Sequence, residues 1–102
     1  MPREPLTKDA VEHLLFKLDG WNMEGDAIRR VYTAEDFPGA IHLVNVVAVL
    51  AESARHHPDI DIRWRTVTFT LSTHDAGGKV TLADLELAAQ INAAIMTQPA
   101  AR

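Results

Sequence analysis

One long apolar segment divides this 102-residue sequence into two parts, and each part carries a pair of short strand patterns. The segment reads as a helix from Pro38, since proline is tolerated in a first helical turn, to about Ala54. Pro58 forbids its continuation. Because short hairpin connections favour antiparallel pairing, this order predicts an antiparallel sheet with helices packed on one face.

The apolar residues of this segment cover more than one face of a helix. One face is marked by Ile41, Val44, Ala48 and Ala51, and a second group broadens it, namely Leu43, Val46, Val47 and Leu50. A helix this apolar in a small domain is expected to bury a second face, and another subunit is the natural candidate. We therefore expect the chain to associate with further copies of itself. The most apolar run, residues 41–51, is shorter than the roughly 20 residues that span a bilayer, so no membrane association is expected.

The first helix has a recognisable start. Thr7 is a candidate N-cap, and Leu6 and Val11 occupy the two positions of a hydrophobic staple. Gly20 suits the C-terminal end of this helix.

Two strand pairs flank the long helix. Residues 24–26 are predicted to form a hairpin turn between strands at 21–23 and 27–33. In the second pair, apolar residues alternate with polar ones, and these apolar residues are Ile60, Ile62, Trp64, Val67, Phe69 and Leu71. The parity of the alternation changes between Trp64 and Val67, which indicates a turn or a bulge there.

Thr81 is predicted to open a last helix, and residues 98–102 are expected to fray. The buried face of this helix is expected to hold Leu85, Ala88, Ala89, Ile91 and Ile95. The predicted order is helix-β-β-helix-β-β-helix in one domain over residues 1–102. This is an α+β fold, a four-stranded antiparallel sheet with three helices packed on one face.

Composition and charge exclude several classes of function. Apolar residues make up 47% of the chain and charged residues 24%, as in soluble globular proteins. The net charge of -4 argues against a nucleic-acid surface, which needs clustered Lys and Arg to neutralise phosphates. The chain has no cysteine and therefore no disulfide framework. No N-terminal stretch combines a basic segment with an apolar signal core, so we expect a cytoplasmic protein.

Three of the five histidines lie in two short, polar, turn-rich segments. His56 and His57 precede Pro58, and His74 follows Thr73 at the other end of a strand-like run. Imidazole is the one side chain whose unperturbed charge change falls near neutral pH. Histidines on two such turns can contact one small molecule, and this arrangement predicts a site for acid–base chemistry.

The order of these residues resembles the pterin-4a-carbinolamine dehydratase family, also known as the dimerization cofactor of a homeodomain transcription factor. The residues that carry the resemblance are Glu52, His56, His57, Pro58, Trp64, Thr73, His74 and Asp84. The resemblance extends from Gly20 and Trp21 to the last helix, and so covers nearly the whole chain. It implies the same α+β architecture, built into dimers or tetramers.

The reaction that the resemblance implies is dehydration of a 4a-hydroxytetrahydropterin to the quinonoid dihydropterin. The pterin is then the substrate, and no further cofactor is required because elimination moves no electrons. We expect His56 and His74 to be the acid–base pair, with His57 assisting the departing hydroxyl. Glu52 and Asp84 would orient the rings. The expected pterin-binding residues are Trp21, Arg55, His56, His57, Ser72, Thr73 and His74.

Each of these residues also has a structural interpretation. The two adjacent histidines can be surface caps of the long helix. Glu52 can pair with His56 at i and i+4, either to orient the ring or as a plain surface ion pair. Asp84 completes a capping box with Thr81, and it can also position His74.

The two tryptophans are assigned different places. We expect Trp64 to lie in the core and Trp21 to lie at the edge of the pocket. A zinc site is disfavoured, since the spacing of the histidines and carboxylates matches no standard zinc motif.

Two other functions stay open at this level. One is a non-catalytic protein-binding or dimerization module, which the apolar middle helix would serve. The other is a protein that acts on a different pterin. Two departures from the family pattern keep that second function open: Arg55 before the histidine pair, and Lys79, which looks like one extra residue before Thr81. Because of this extra residue, the sequence alone does not establish that Asp84 reaches the site.

Overall fold

A computed structural model describes residues 3–99, which form three helices and one four-stranded antiparallel sheet. The elements in chain order are α1 (Lys8–Leu15), β1 (Trp21–Glu24), β2 (Ala27–Thr33), α2 (Phe37–Ala54), β3 (Asp59–Arg63), β4 (Thr66–Leu71) and α3 (Leu82–Met96). A single 3₁₀ turn, His74–Ala76, follows β4. The predicted α+β fold and the order of its elements are confirmed. Of the predicted frayed tail, residues 100–102 lie outside the described residues.

The strand order in the sheet is β1-β2-β4-β3, and all three neighbouring pairs are antiparallel. Each hairpin has a two-residue loop, Gly25-Asp26 in the first and Trp64-Arg65 in the second. The predicted change of parity before Val67 is therefore a turn. Along β4, Val67, Phe69 and Leu71 are fully buried while the threonines between them are half-buried. The helices therefore cover one face of the sheet.

The helix α1 begins as predicted and ends earlier than predicted. Thr7 is its N-cap, and the Thr7 hydroxyl accepts a hydrogen bond from the backbone N–H of Ala10 at 3.1 Å. The helix stops at Leu15, and Gly20 instead is the last residue of the turn before β1, with a φ of 83°. A Cβ at Gly20 would lie 2.9 Å from the Arg30 guanidinium, so glycine serves close packing here.

The buried face of α2 agrees with the predicted one only in part: Leu43, Val47 and Ala51 were expected there. Ala40, Leu43, Val47 and Ala51 pack into the core, whereas Ala48 is exposed. The apolar residues of α2 lie on several sides of the helix, so their spacing alone does not identify the face that packs against the sheet. Asp36 caps the helix through its side chain, and Pro38 lies in the first turn as expected.

The outward face of α2 is mixed, since the polar His42, Asn45 and Glu52 are exposed together with Ala48 and Val49. Val49 is 66% exposed there. The helix has 18 residues, more than the apolar run 41–51, and by length and composition alone it is long and apolar enough to cross a membrane. Core helices of soluble proteins pass the same test, and α2 packs against α3 and β4.

Trp64 is not a core residue. It lies in the β3–β4 loop with a φ of 55°, and it is 72% exposed. The Arg65 guanidinium lies 4.9 Å from the centre of its ring, within cation–π range. The core position predicted for Trp64 depended on the alternation of apolar and polar residues along β3. That strand ends one residue earlier, at Arg63, and Trp64 lies in the hairpin turn.

The helix α3 begins with the predicted capping box. The Thr81 hydroxyl accepts from the backbone of the first turn, and the Asp84 carboxylate accepts from the Thr81 N–H at 2.8 Å. Its buried face includes four of the five predicted residues; Ala89 is exposed, and Asp84 and Leu87 are buried instead. Leu87 and Ile91 are among the largest fully buried side chains.

The end of α2 is a Schellman-type turn centred on Arg55. Arg55 has a φ of 52°, and the N–H of His56 reaches back to the Ala51 carbonyl at 3.1 Å. Most helices place glycine at this left-handed position, because a Cβ is strained there. The turn reverses the chain direction and determines where the two histidines point.

We predict that Arg55→Gly raises the free energy of unfolding by about 1 kcal/mol, since it removes the left-handed strain at an exposed residue. Chemical denaturation of both proteins measures the difference. Ser53→Gly is the matched control, because Ser53 lies in the same turn of helix with ordinary helical geometry. The control is expected to lose about 0.5 kcal/mol. A loss of stability in both variants would contradict the role given to Arg55.

Candidate active site

The turn at the end of α2 gives His56 and His57 opposite environments. The chain reverses at Arg55, so that His56 points into the domain and is 5% exposed. His57 points outward and is largely exposed. The expectation that two consecutive histidines serve one ligand in different ways is in keeping with this geometry.

A buried carboxylate, Asp84, holds the interior of the site together. Asp84 has no exposed surface, and its Oδ1 bonds to Nε2 of His56. Its Oδ2 accepts from the Thr73 hydroxyl and from the Thr81 backbone N–H, each at 2.8 Å. A buried charge is tolerated only where hydrogen bonds satisfy it. Asp84 therefore joins the ends of α2, β4 and α3.

The Thr73 hydroxyl is fully used inside the protein. It donates its only hydrogen to Asp84, so the Thr81 hydroxyl donates to Thr73 across 2.7 Å. Thr73 is 1% exposed. Thr73 was predicted to bind the pterin, and in the structure its hydroxyl holds Asp84.

Both ring nitrogens of His56 are engaged. Nε2 meets the Asp84 carboxylate, and Nδ1 lies 2.9 Å from Nη1 of Arg3. A guanidinium has donors only, so Nδ1 must accept and must carry no hydrogen. Nε2 then carries the hydrogen that it donates to Asp84. Both nitrogens of His56 are therefore hydrogen-bonded within the protein in this arrangement.

The carboxylates that bond to the histidine rings differ from the predicted ones. Glu52 pairs with His57, Nε2 to Oε1 at 2.6 Å, and not with His56 at i+4. The left-handed turn at Arg55 ends the helical geometry on which the i, i+4 prediction depended. Asp84 likewise reaches His56 and not His74. The Glu52–His57 pair is exposed, so it orients the ring while adding little stability.

His74 completes the group of three histidines. It begins the 3₁₀ turn after β4 and is exposed. One cavity of about 250 Å³ brings the three rings together. Its lining residues are Arg3, Arg55, His56, His57, Ser72, Thr73, His74 and Asp75. All the predicted pterin-binding residues except Trp21 lie along this cavity.

Trp21 lies apart from the histidines. It is buried at the start of β1, an edge strand, and its Nε1 donates to Oδ1 of Asn92 in α3 at 2.8 Å. Arg30 donates to the same oxygen at 2.6 Å. Desolvation lowers the pKa of Arg30 from its ordinary value, and the charges of Asp19 and Tyr32 oppose that shift. Trp21 belongs to this structural cluster and not to the edge of the cavity.

Lys79, which the family pattern marks as one extra residue, does not keep Asp84 from the site. The Lys79 carbonyl accepts from the N–H of Thr73 at 2.8 Å, which closes the loop around the 3₁₀ turn. The Lys79 ammonium lies 3.4 Å from Asp26 on the surface. Thr81 and Asp84 lie at the start of α3, where Asp84 bonds to His56.

Arg3 is the residue that sequence reasoning missed. It lies in no motif and outside every predicted element, so the sequence carries no signal of its role. It donates to His56 and to two backbone carbonyls at the end of α2. Within residues 3–99, no group of three or more histidines and carboxylates is arranged to hold a metal ion.

The chain is similar to proteins of one family over most of its length. The family model described as pterin 4 alpha carbinolamine dehydratase matches residues 4–94. A Nocardia farcinica protein that carries the name pterin-4-alpha-carbinolamine dehydratase is 55% identical over 92 residues, 90% of this chain and 96% of that protein. A Roseiflexus castenholzii protein of the same name is 56% identical over 88 residues, 85% of this chain and 94% of that one.

Two solved structures share the fold. A transcriptional coactivator/pterin dehydratase from Brucella melitensis superposes with a TM-score of 0.83 and 34% identity, over 88% of this chain and 97% of that one. A pterin dehydratase-like protein identified as a RuBisCO assembly factor in the alpha-carboxysome has a TM-score of 0.59 and 19% identity, over 72% of this chain and 84% of that one. The second likeness concerns the fold alone. On the match of residues 4–94 and on relatives above half identity, the chain belongs to the pterin-4a-carbinolamine dehydratase family.

Proposed function

We propose that this protein dehydrates a 4a-hydroxytetrahydropterin to the quinonoid dihydropterin and so recycles the pterin. The observation that carries the proposal is the convergence of His56, His57 and His74 on one cavity. Family membership supports the same activity. Polar side chains line this cavity of about 250 Å³, and they offer hydrogen bonds to a compact, polar heterocycle.

The reaction needs two proton transfers. One proton leaves the ring nitrogen next to C4a, and its electron pair forms the new C=N bond. The bond between C4a and the hydroxyl breaks, and that oxygen takes up a proton and departs as water. No electron is gained or lost overall, so the chemistry calls for an acid and a base without a redox cofactor.

His57 and His74 are the histidines best placed for these transfers. Both are exposed to the cavity, whereas both nitrogens of His56 are occupied by Asp84 and Arg3. We therefore replace the expected pair of His56 and His74 with His57 and His74. One imidazole takes the ring proton while the other donates to the hydroxyl, which imidazoles can do near neutral pH.

The remaining residues orient the acid and the base. Glu52 fixes the His57 ring through Nε2, which leaves Nδ1 to face a ligand. Asp84 holds His56 at the back of the cavity. Ser72 and Arg55 line the mouth and are the residues that we assign to binding the pterin edge.

We predict that His57→Ala and His74→Ala each lower turnover by about 10²–10⁴-fold, the usual contribution of a positioned acid or base. Stopped-flow absorbance of enzymatically generated 4a-hydroxytetrahydropterin measures quinonoid formation directly. Thermal stability is expected to stay near that of the wild type, since both side chains are exposed. His56→Ala is a poorer test, because it leaves Asp84 buried without one of its partners.

His13→Ala is the matched control for these variants. His13 is exposed on α1 and does not line the cavity. Full turnover in both site variants would overturn the assignment of acid and base. No acceleration by the folded wild-type protein would overturn the dehydratase itself and leave a different pterin or a binding role.

We further propose a homodimer or homotetramer that covers the outward face of α2. That face exposes Val49 in the middle of the helix, where a charged residue would normally face water. The same surface would serve the alternative function as a protein-binding module. The histidine cavity lies at the C-terminal end of α2, so the two functions can be separated by mutation.

We predict that Val49→Glu converts the oligomer into monomers, because each copy would bury an unpaired carboxylate at the interface. Sedimentation velocity measures the change in mass. Phe16→Glu is the control, since Phe16 is 90% exposed at the end of α1. A wild-type monomer, or dissociation by the Phe16 variant alone, would contradict the assignment to α2.

A further inference from the structure

Two arginines lie at the cavity that holds the three histidines. Arg3 and Arg55 both line this cavity of about 250 Å³. They are also in contact, because Nη2 of Arg3 donates to the Arg55 carbonyl at 3.2 Å. Each guanidinium carries a fixed positive charge and a planar set of donors. The proposed acid–base chemistry uses neither of them.

The two arginines differ in how their donors are used. The guanidinium of Arg3 donates to the carbonyls of Ala54 and Arg55 and contacts the ring of His56, so its donors are held inside the protein. The side chain of Arg55 is exposed and, within residues 3–99, forms no hydrogen bond or ion pair. Arg55 is therefore the arginine whose donors are available to a ligand in the cavity.

The carboxylates near the cavity do not neutralise Arg55. Among the described lining residues, Asp75 alone carries a carboxylate, and it forms no ion pair with either arginine. Glu52 is paired with His57. Asp84 is fully buried and holds its own hydrogen-bond donors. An anionic group that enters the cavity thus meets a guanidinium without a competing carboxylate.

The backbone position of Arg55 is costly for an arginine. Its φ of 52° lies in the left-handed region, where glycine is the usual residue. The exposed side chain makes no contact within the described chain that offsets this strain. Strained backbone of this kind is often found at functional sites, where the side chain has a task. The cavity is where the Arg55 side chain can have such a task.

We propose that Arg55 makes this site selective for pterins whose side chain carries an anionic group, a carboxylate or a phosphate. This selectivity rests on the proposed dehydratase function, which sets the orientation of the pterin ring. The guanidinium donates paired N–H groups to two oxygens of the anion, a geometry that matches both carboxylates and phosphates. A pterin with a neutral side chain lacks this charged contact.

The reaction chemistry places the pterin side chain near Arg55. The side chain is carried by the ring carbon bonded to the nitrogen that loses its proton. The imidazole that takes this proton therefore lies beside the first atoms of the side chain. His57 is one of the two histidines proposed for this step, and two residues of chain place its Cα no more than about 7 Å from that of Arg55. An anion on the pterin side chain is thereby brought to the Arg55 part of the cavity.

The test compares the binding of three pterins that share one aromatic ring system. The side chain is neutral in 6-hydroxymethylpterin, carries a carboxylate in 6-carboxypterin, and carries a phosphate in the phosphate ester of 6-hydroxymethylpterin. None of the three can be dehydrated, so isothermal titration calorimetry at pH 7 measures affinity alone. We expect each anionic pterin to bind about fivefold more tightly than the neutral one, the upper range for an exposed ion pair. The carboxylate and phosphate arms show which anion the site prefers.

Matched variants separate charge from side-chain size. Arg55→Gln keeps a donor without the charge and is expected to bind neutral and anionic pterins equally. Arg55→Lys keeps the charge and is expected to retain part of the preference. Arg63→Gln is the control and is expected to keep the full preference, because Arg63 is exposed and pairs with Asp61 outside the cavity. An ionic strength of about 1 M, at which the screening length is about 3 Å, is expected to remove the preference of the wild type.

The outcomes distinguish selectivity from catalysis. Equal affinity of the wild type for neutral and anionic pterins would overturn the selectivity and leave the dehydratase function standing. A preference that persists unchanged in Arg55→Gln would also overturn it. Preference for the anionic pterins without any acceleration of dehydration would overturn the dehydratase function and support the selectivity. If the wild type binds none of the three pterins, both proposals fail.

Discussion

The contact between the Asp84 carboxylate and its three donors connects the parts of this domain that carry chemistry. Its donors come from the end of α2, the end of β4 and the start of α3. A carboxylate with no exposure must be satisfied on every side, so these three chain ends are held in one arrangement. The capping box and the interior of the candidate site are therefore the same set of hydrogen bonds.

The left-handed turn at Arg55 complements this interaction. It allows one histidine to reach Asp84 while its neighbour faces the cavity. The two adjacent histidines thus have different surroundings, one buried in the wall of the cavity and one exposed beside it. Membership of the pterin-4a-carbinolamine dehydratase family and this geometry both support a dehydratase function. The family pattern alone does not show which side chains the histidine rings bond to.

Much of the fold could be predicted because caps and turns are local. Thr7, Thr81 and Gly25 each indicate an element boundary from a few neighbouring residues. The buried face of α2 could be predicted only in part, since apolar residues lie on several sides of that helix. In the candidate site, the motif predicted which histidines line one cavity but not their hydrogen-bond partners. Those partners depend on the turn at Arg55 and on Arg3, which is remote in sequence and belongs to no pattern.

The sheet order has a consequence for folding. The two hairpins, β1–β2 and β3–β4, form from neighbouring residues, whereas the central β2–β4 pairing joins distant parts of the chain. Closing such a long loop costs chain entropy and is slow relative to local pairing. The His56–Asp84 contact, 28 positions apart, depends on the same closure. An incompletely folded chain therefore has both hairpins available and no active site, so that catalytic competence appears only with the closed sheet.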